Sequence, residues 1–249
     1  MAHLLRCLPK VGPARSKRVA GKVAWVILLG LAAAAPADDP DVHHLYHSVM
    51  PPGAIGSLQL QRREPLSGFF QPVQIRAPAG ALISLAEEGD FGPAQPAPVR
   101  VGMLIGQVYR FRVMGIPLHP GAEVFPTLEL IDRLYAPRGQ ELRFPIQIDV
   151  TLEDLTLALD GKFVSRVIYL EDPRRALPTA EDPQLQQWFE AGPGRDPLAI
   201  ADQLGRPVAI LRLGARLPGG GPPDMQFLYG CPPLAKFPTL PAAGVEARP

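Results

Sequence analysis

Arg143-Phe-Pro-Ile-Gln-Ile-Asp-Val150 reads as a β-strand, because Phe144, Ile146, Ile148 and Val150 alternate with Arg143, Pro145, Gln147 and Asp149. Successive side chains of a strand point to opposite faces, so this spacing presents one apolar face to a core and leaves one polar. The same two-residue period recurs upstream. Val73 and Ile75 alternate with Gln74 and Arg76, and Leu82-Ile-Ser-Leu85 follows a Pro-Ala-Gly turn. After a Pro- and Gly-rich break from Gly92 to Pro98 comes Val99–Ile105, then Tyr109, Phe111 and Val113 against Arg110 and Arg112. Leu128 and Leu130 alternate with Thr127 and Glu129 inside Val124–Leu134, where Pro126 cannot donate to a ladder and so belongs at an edge or a bulge. Short alternating runs separated by turn residues predict half-buried antiparallel strands.

Past Val150 the period changes. Thr151-Leu-Glu-Asp154 has the spacing of a capping box, Leu152, Leu155 and Leu159 follow at helical spacing, and Gly161 is placed to close the helix in the left-handed conformation. Phe163–Leu170 returns to a strand pattern. Asp196-Pro197 then supplies an N-cap and an N1 proline, Leu198, Ala201 and Leu204 an apolar stripe, Gly205 a stop, and Val208–Leu217 another strand. Gly161-Lys162 and Gly205-Arg206 give these two units a shared junction, the outline of a weak helix-turn-strand repeat, with a third short helix between them at Pro183–Phe189. The fold expected is mainly β (α+β): an antiparallel β-sandwich-like sheet followed by a short helix-strand-helix-strand segment. Residues 38–70 read as an irregular lead-in, 71–217 as a single β-rich globular domain and 218–249, with eight prolines and Gly219-Gly220-Gly221, as a Pro/Gly-rich disordered tail in which Asp224–Tyr229 can dock locally.

The N-terminus carries Arg6, Lys10, Arg15, Lys17, Arg18 and Lys22 with no acidic residue, then thirteen residues without a charge from Val23 to Ala35, then Ala35-Pro36-Ala37 before Asp38. A basic region, a short apolar region and a small-x-small site make residues 1–37 a signal peptide cut after Ala37, and place the mature chain in the secreted or periplasmic, cell-envelope space. The apolar run is shorter than the roughly 17–25 residues of a spanning helix, so a membrane partner is expected only if this segment is retained as an anchor. The whole chain holds 25 basic and 24 acidic residues; the 212 beyond Ala37 keep 19 and 24, a net charge of −5. That balance argues against nucleic acid as a partner. Cys231 is left as the lone cysteine of the mature chain, so no intrachain disulfide is expected and stability rests on apolar burial.

Chemistry is sparse. His43-His44-Leu45-Tyr46-His47 is the one cluster of metal-ligating type; on a helix His43 and His47 would share a face. His44, however, stands where the zincin pattern requires glutamate. His119, between prolines, is expected in a hairpin loop. No Gly-x-Ser-x-Gly elbow surrounds any serine, and no phosphate loop or dinucleotide fingerprint occurs, so no cofactor is expected. Glu87-Glu88, Glu153-Asp154, Glu171-Asp172 and Glu181-Asp182 are the acidic pairs, of which the last three suit strand ends or helix starts. Arg76, Arg100, Arg110 and Arg112 are candidates for a basic stripe on an exposed sheet face, most simply a solvated one. The function expected is an exported, non-catalytic cell-envelope protein, structural or binding an envelope component. The alternatives are a secreted hydrolase with a dispersed site, or a metal-handling protein using His43, His44 and His47.

Overall fold

Alternation becomes strand wherever both faces find cover. A computed structural model of the chain describes residues 50–62, 66–174, 188, 190–192, 194–221 and 224–237. The strands are β1 (Phe70–Arg76), β2 (Leu82–Glu87), β3 (Asp90–Phe91), β4 (Gln95–Pro96), β5 (Val99–Leu104), β6 (Val108–Met114), β7 (Thr127–Leu130), β8 (Ile146–Asp149), β9 (Val164–Glu171), β10 (Gly205–Leu213) and β11 (Leu234–Ala235). The helices are α1 (Ala54–Arg62), α2 (Leu152–Leu159) and α3 (Pro197–Leu204). The protein is mostly β with a few short helices, as the sequence predicts.

One sheet runs β11-β5-β1-β8; the other runs β3-β2-β6-β7-β10-β9, with β4 also on β2. All pairs are antiparallel except β1 with β8. Val73, Ile75, Val101, Met103, Ile146 and Ile148 of the first sheet share one core with Ile83, Phe111, Val113, Leu128, Leu130, Ala209 and Leu211 of the second. These are the odd or even members of each alternating run, so period two in the sequence is the inner face of each sheet. The predicted helix-strand-helix-strand segment adds to this sandwich-like body: β10 lies beside β7, and β9 lies beside β10.

Several local expectations are corrected. The lead-in is not irregular throughout, since α1 lies in it. Pro51-Pro52-Gly53 makes the turn that starts the helix, with the Ala54 N–H on the Pro51 carbonyl and the Ser57 N–H on the Gly53 carbonyl. The clearest alternating run is strand only from Ile146; Phe144 follows a 3₁₀ turn (Glu141–Arg143) and is exposed. The tail docks over Asp224–Tyr229 as expected, with Phe227 and Leu228 buried, and also beyond it, where β11 pairs with β5. Pro126 does interrupt its ladder, β7 beginning at Thr127 and Val124 forming an isolated bridge to Val113. The helix-strand junctions differ: Gly161 is left-handed at φ 80°, whereas Gly205 is extended and passes straight into β10. Of the helix predicted at Pro183–Phe189, all but Trp188 lies outside the described residues, and Trp188 is not helical.

The arginine stripe does not form. Register places Arg76 and Arg100 on the first sheet, where Arg76 pairs with Asp149 and the Arg100 Nε donates to Gln74. Arg110 is on the other sheet and is buried rather than solvated. Its Nε donates to the Phe227 carbonyl at 2.6 Å and its Nη1 to the Phe125 carbonyl at 2.7 Å, with the Phe227 ring stacked 4.1 Å from the guanidinium carbon. Burial pushes its pKa down from the ordinary arginine value.

Candidate functional site: a groove along the free edge of a strand

β9 is where the larger sheet ends. It pairs with β10 on one side, and among the described residues no strand adjoins the other. A cavity of about 830 Å³ lies against it and is lined by all eight residues from Val164 to Glu171. Side chains of consecutive strand residues face opposite ways, so a cavity touching every one of them runs along the strand's edge. Glu153, Asp154 and Leu157 of α2, with Asp149, form one set of wall residues; Trp188, residues 190–192 and Pro197 and Ala201 of α3 form the other.

Local rules place these walls. Thr151 caps α2, its hydroxyl accepting from the Asp154 N–H at 3.1 Å while the Asp154 carboxylate accepts from the Thr151 N–H at 3.1 Å, the predicted capping box. Asp154 is almost wholly buried, so it needs a cation as well. Arg166 of β9 supplies it, with Nε at 2.9 Å and Nη2 at 2.8 Å from the same carboxylate oxygen. Trp188 stacks 4.6 Å from the Arg166 guanidinium carbon. Across the groove Asp196 caps α3, accepting from the Leu198 N–H at 2.8 Å, with Pro197 at the first helical position as predicted.

The charges of the groove thus divide in two. Asp149 and Asp154 are neutralised by Arg76 and Arg166. Glu153, Glu171 and Glu190 are exposed at the rim without an ion-pair partner among the described residues. Tyr169, on the same strand, has its phenol pKa raised, first by burial and then by the Glu171 carboxylate. The arrangement offers an aromatic ring, a backbone edge with no partner strand among the described residues and a negative rim, the equipment of a binding surface.

The residues singled out from the sequence do not meet here. His43, His44 and His47 lie outside the described residues, and among the described residues no three His, Cys, Asp or Glu side chains are grouped to hold a metal ion. His119 sits in the β6–β7 hairpin loop, as predicted, with Nε2 3.4 Å from the Thr156 hydroxyl. Cys231 is a half-buried free thiol packed beside Phe227 and Leu228. Glu87 pairs with Lys236 at 2.7 Å. Sequence reading found Asp154 as a cap but missed Arg166 and Trp188, whose roles depend on β9 being an edge. No helix among the described residues is long and apolar enough to cross a membrane. Compared with protein-family models, with curated proteins and with solved structures, the chain shows no match.

Proposed function

We propose that the chain is an exported, non-catalytic binding protein of the cell envelope, and that its ligand sits in the groove beside β9. The observation that carries this is the division of charge in the groove. Its inner carboxylates are committed to holding α2 and β8 in place, while the three rim carboxylates have no such structural duty. Groups of that kind serve recognition from the rim of a pocket. Export is supported by the basic region, apolar run and Ala35-Pro36-Ala37 site at the N-terminus.

Two experiments test the reading. N-terminal sequencing of protein from the envelope fraction should begin at Asp38; an intact Met1 in membranes would mean a retained anchor instead of cleavage, and an intact Met1 in the cytoplasm would overturn export. A photo-cross-linking residue at Glu190, on the groove, should give a discrete adduct in living cells, while the same residue at exposed Arg138, outside the groove, should not. Equal labelling at the two positions, or none at either, would overturn the groove as the binding site.

A further inference from the structure

Edges of β-sheets invite pairing, and folded proteins blunt them with short strands, proline, lysine or bulges. Among the described residues, three of the four edges follow that rule. β3 and β4 are two residues each and β4 ends at Pro96; β8 is four residues and follows Pro145; β11 is two residues and follows Pro232-Pro233. β9 breaks it. It is eight residues long, Val-Ser-Arg-Val-Ile-Tyr-Leu-Glu, with neither proline nor lysine, and the register shift of its pairing falls on β10, between Pro207 and Ala209. At roughly 3.3 Å per residue it offers about 26 Å of backbone to a partner.

Resting on the groove reading above, we propose that β9 accepts an extended, basic segment of another protein as an added strand. Backbone donors and acceptors of β9 supply affinity in this mode, and side-chain pockets on either side supply specificity. Charge names the partner. Arg166 is consumed by Asp154, so the uncompensated groups facing the groove are Glu153, Glu171 and Glu190, all negative. The same three carboxylates disfavour a second copy of this chain, because pairing β9 with β9 would bring two acidic rims together. Trp188 lines the groove half-exposed, and the alkyl stem of an incoming lysine or arginine would pack on the part of its ring that Arg166 leaves uncovered.

The chain has two tryptophans, Trp25 and Trp188, so a full-length Trp25→Phe protein reports on the groove by fluorescence alone. The probes are a heptapeptide of alternating lysine and valine, its glutamate-for-lysine counterpart, and the lysine peptide with alternate backbone nitrogens methylated. The lysine peptide should shift Trp188 emission saturably, at least tenfold more tightly than the other two. A Glu153→Lys, Glu190→Lys double variant should weaken it by a further tenfold or more. Equal binding of the lysine and glutamate peptides would overturn the basic partner. Full binding of the methylated peptide would overturn strand addition while leaving the groove a binding site. No response to any peptide, with Glu190 cross-linking intact, would do the same. Dimerisation in sedimentation that is lost on Val167→Pro would assign the edge to a second copy instead.

Discussion

Glu129 is fully buried on the outer face of the larger sheet and does two jobs there. One carboxylate oxygen accepts from Arg212 Nη1 at 2.7 Å, and the other accepts from the Gly56 N–H at 2.9 Å, in the first turn of α1. Burying both charges is costly, and the Arg212 Nε and Nη2 find no acceptor. The pair is thus better at seating α1 than at stabilising the chain. Glu129→Ala, which strands the arginine, should cost about 3–5 kcal/mol in urea unfolding. A Glu129→Leu, Arg212→Met double variant should recover most of that loss, and a double variant as unstable as the single would refute this account. Tyr109 works at the same scale on the inner face. Its phenolic oxygen accepts from the Leu104 N–H at 2.8 Å and donates to the Pro233 carbonyl at 3.0 Å. Burial outweighs the Leu104 bond and pushes its pKa up to about 12. Between pH 10 and 12 the folded chain keeps a proton that the unfolded chain has lost, so stability falls as pH rises through that window; below it this group contributes no slope. Urea midpoints measured from pH 9 to 12 should show the fall, and Tyr109→Phe should flatten it.

Elements in this protein are seated by glycines at close approaches. A Cβ on Gly56 of α1 would stand 2.8 Å from the Gly106 Cα, so the helix reaches the β5–β6 turn only without side chains there. Gly102 of β5 plays the same part for β11: a Cβ would stand 2.6 Å from Phe237 and 2.9 Å from Ala235. Gly102→Val should lift residues 234–237 from the sheet without disturbing the core. Trypsin should then cut after Lys236 faster than in the wild type, and an unchanged rate, followed by mass spectrometry, would show that the segment is held elsewhere. These contacts explain what the sequence disclosed and what it hid. Strands with one apolar face announced themselves by period two, and α2 and α3 by their caps, Thr151–Asp154 and Asp196-Pro197. α1 and β11 did not, because Gly56, Gly102 and Gly106 carry no pattern of their own and gain meaning from whatever packs on them. Asp224–Tyr229 stood out from the proline-rich tail as a docking segment, but nothing local disclosed that its Phe227 covers Arg110, a residue whose alternation had marked it as solvated.

Among the described residues, the chain changes sheet six times, from β1 to β2, β4 to β5, β5 to β6, β7 to β8, β8 to β9 and β10 to β11. No sheet is contiguous in sequence, which is why sheet order, and with it the exposed edge at β9, was illegible from local patterns. The same crossing binds the two sheets energetically. Gln71 shows it at one point: it is buried on the smaller sheet, yet its side chain accepts from the Leu134 N–H, beyond β7 of the larger one. Neither sheet can lose its strands without uncovering the inner face of the other, so partial unfolding exposes the shared core and gains little chain entropy. The expected outcome is one cooperative urea transition, with far-ultraviolet and near-ultraviolet circular dichroism superimposing. Trp188 emission in the Trp25→Phe chain should report the edge apart from the core, because its ring rests on Arg166 at the rim. A Trp188 change preceding the common transition would mark the β9 groove as locally opening, as ligand-binding segments are free to do. Two separated transitions in the dichroism itself would instead show that the sheets unfold independently and that the crossings do not couple them.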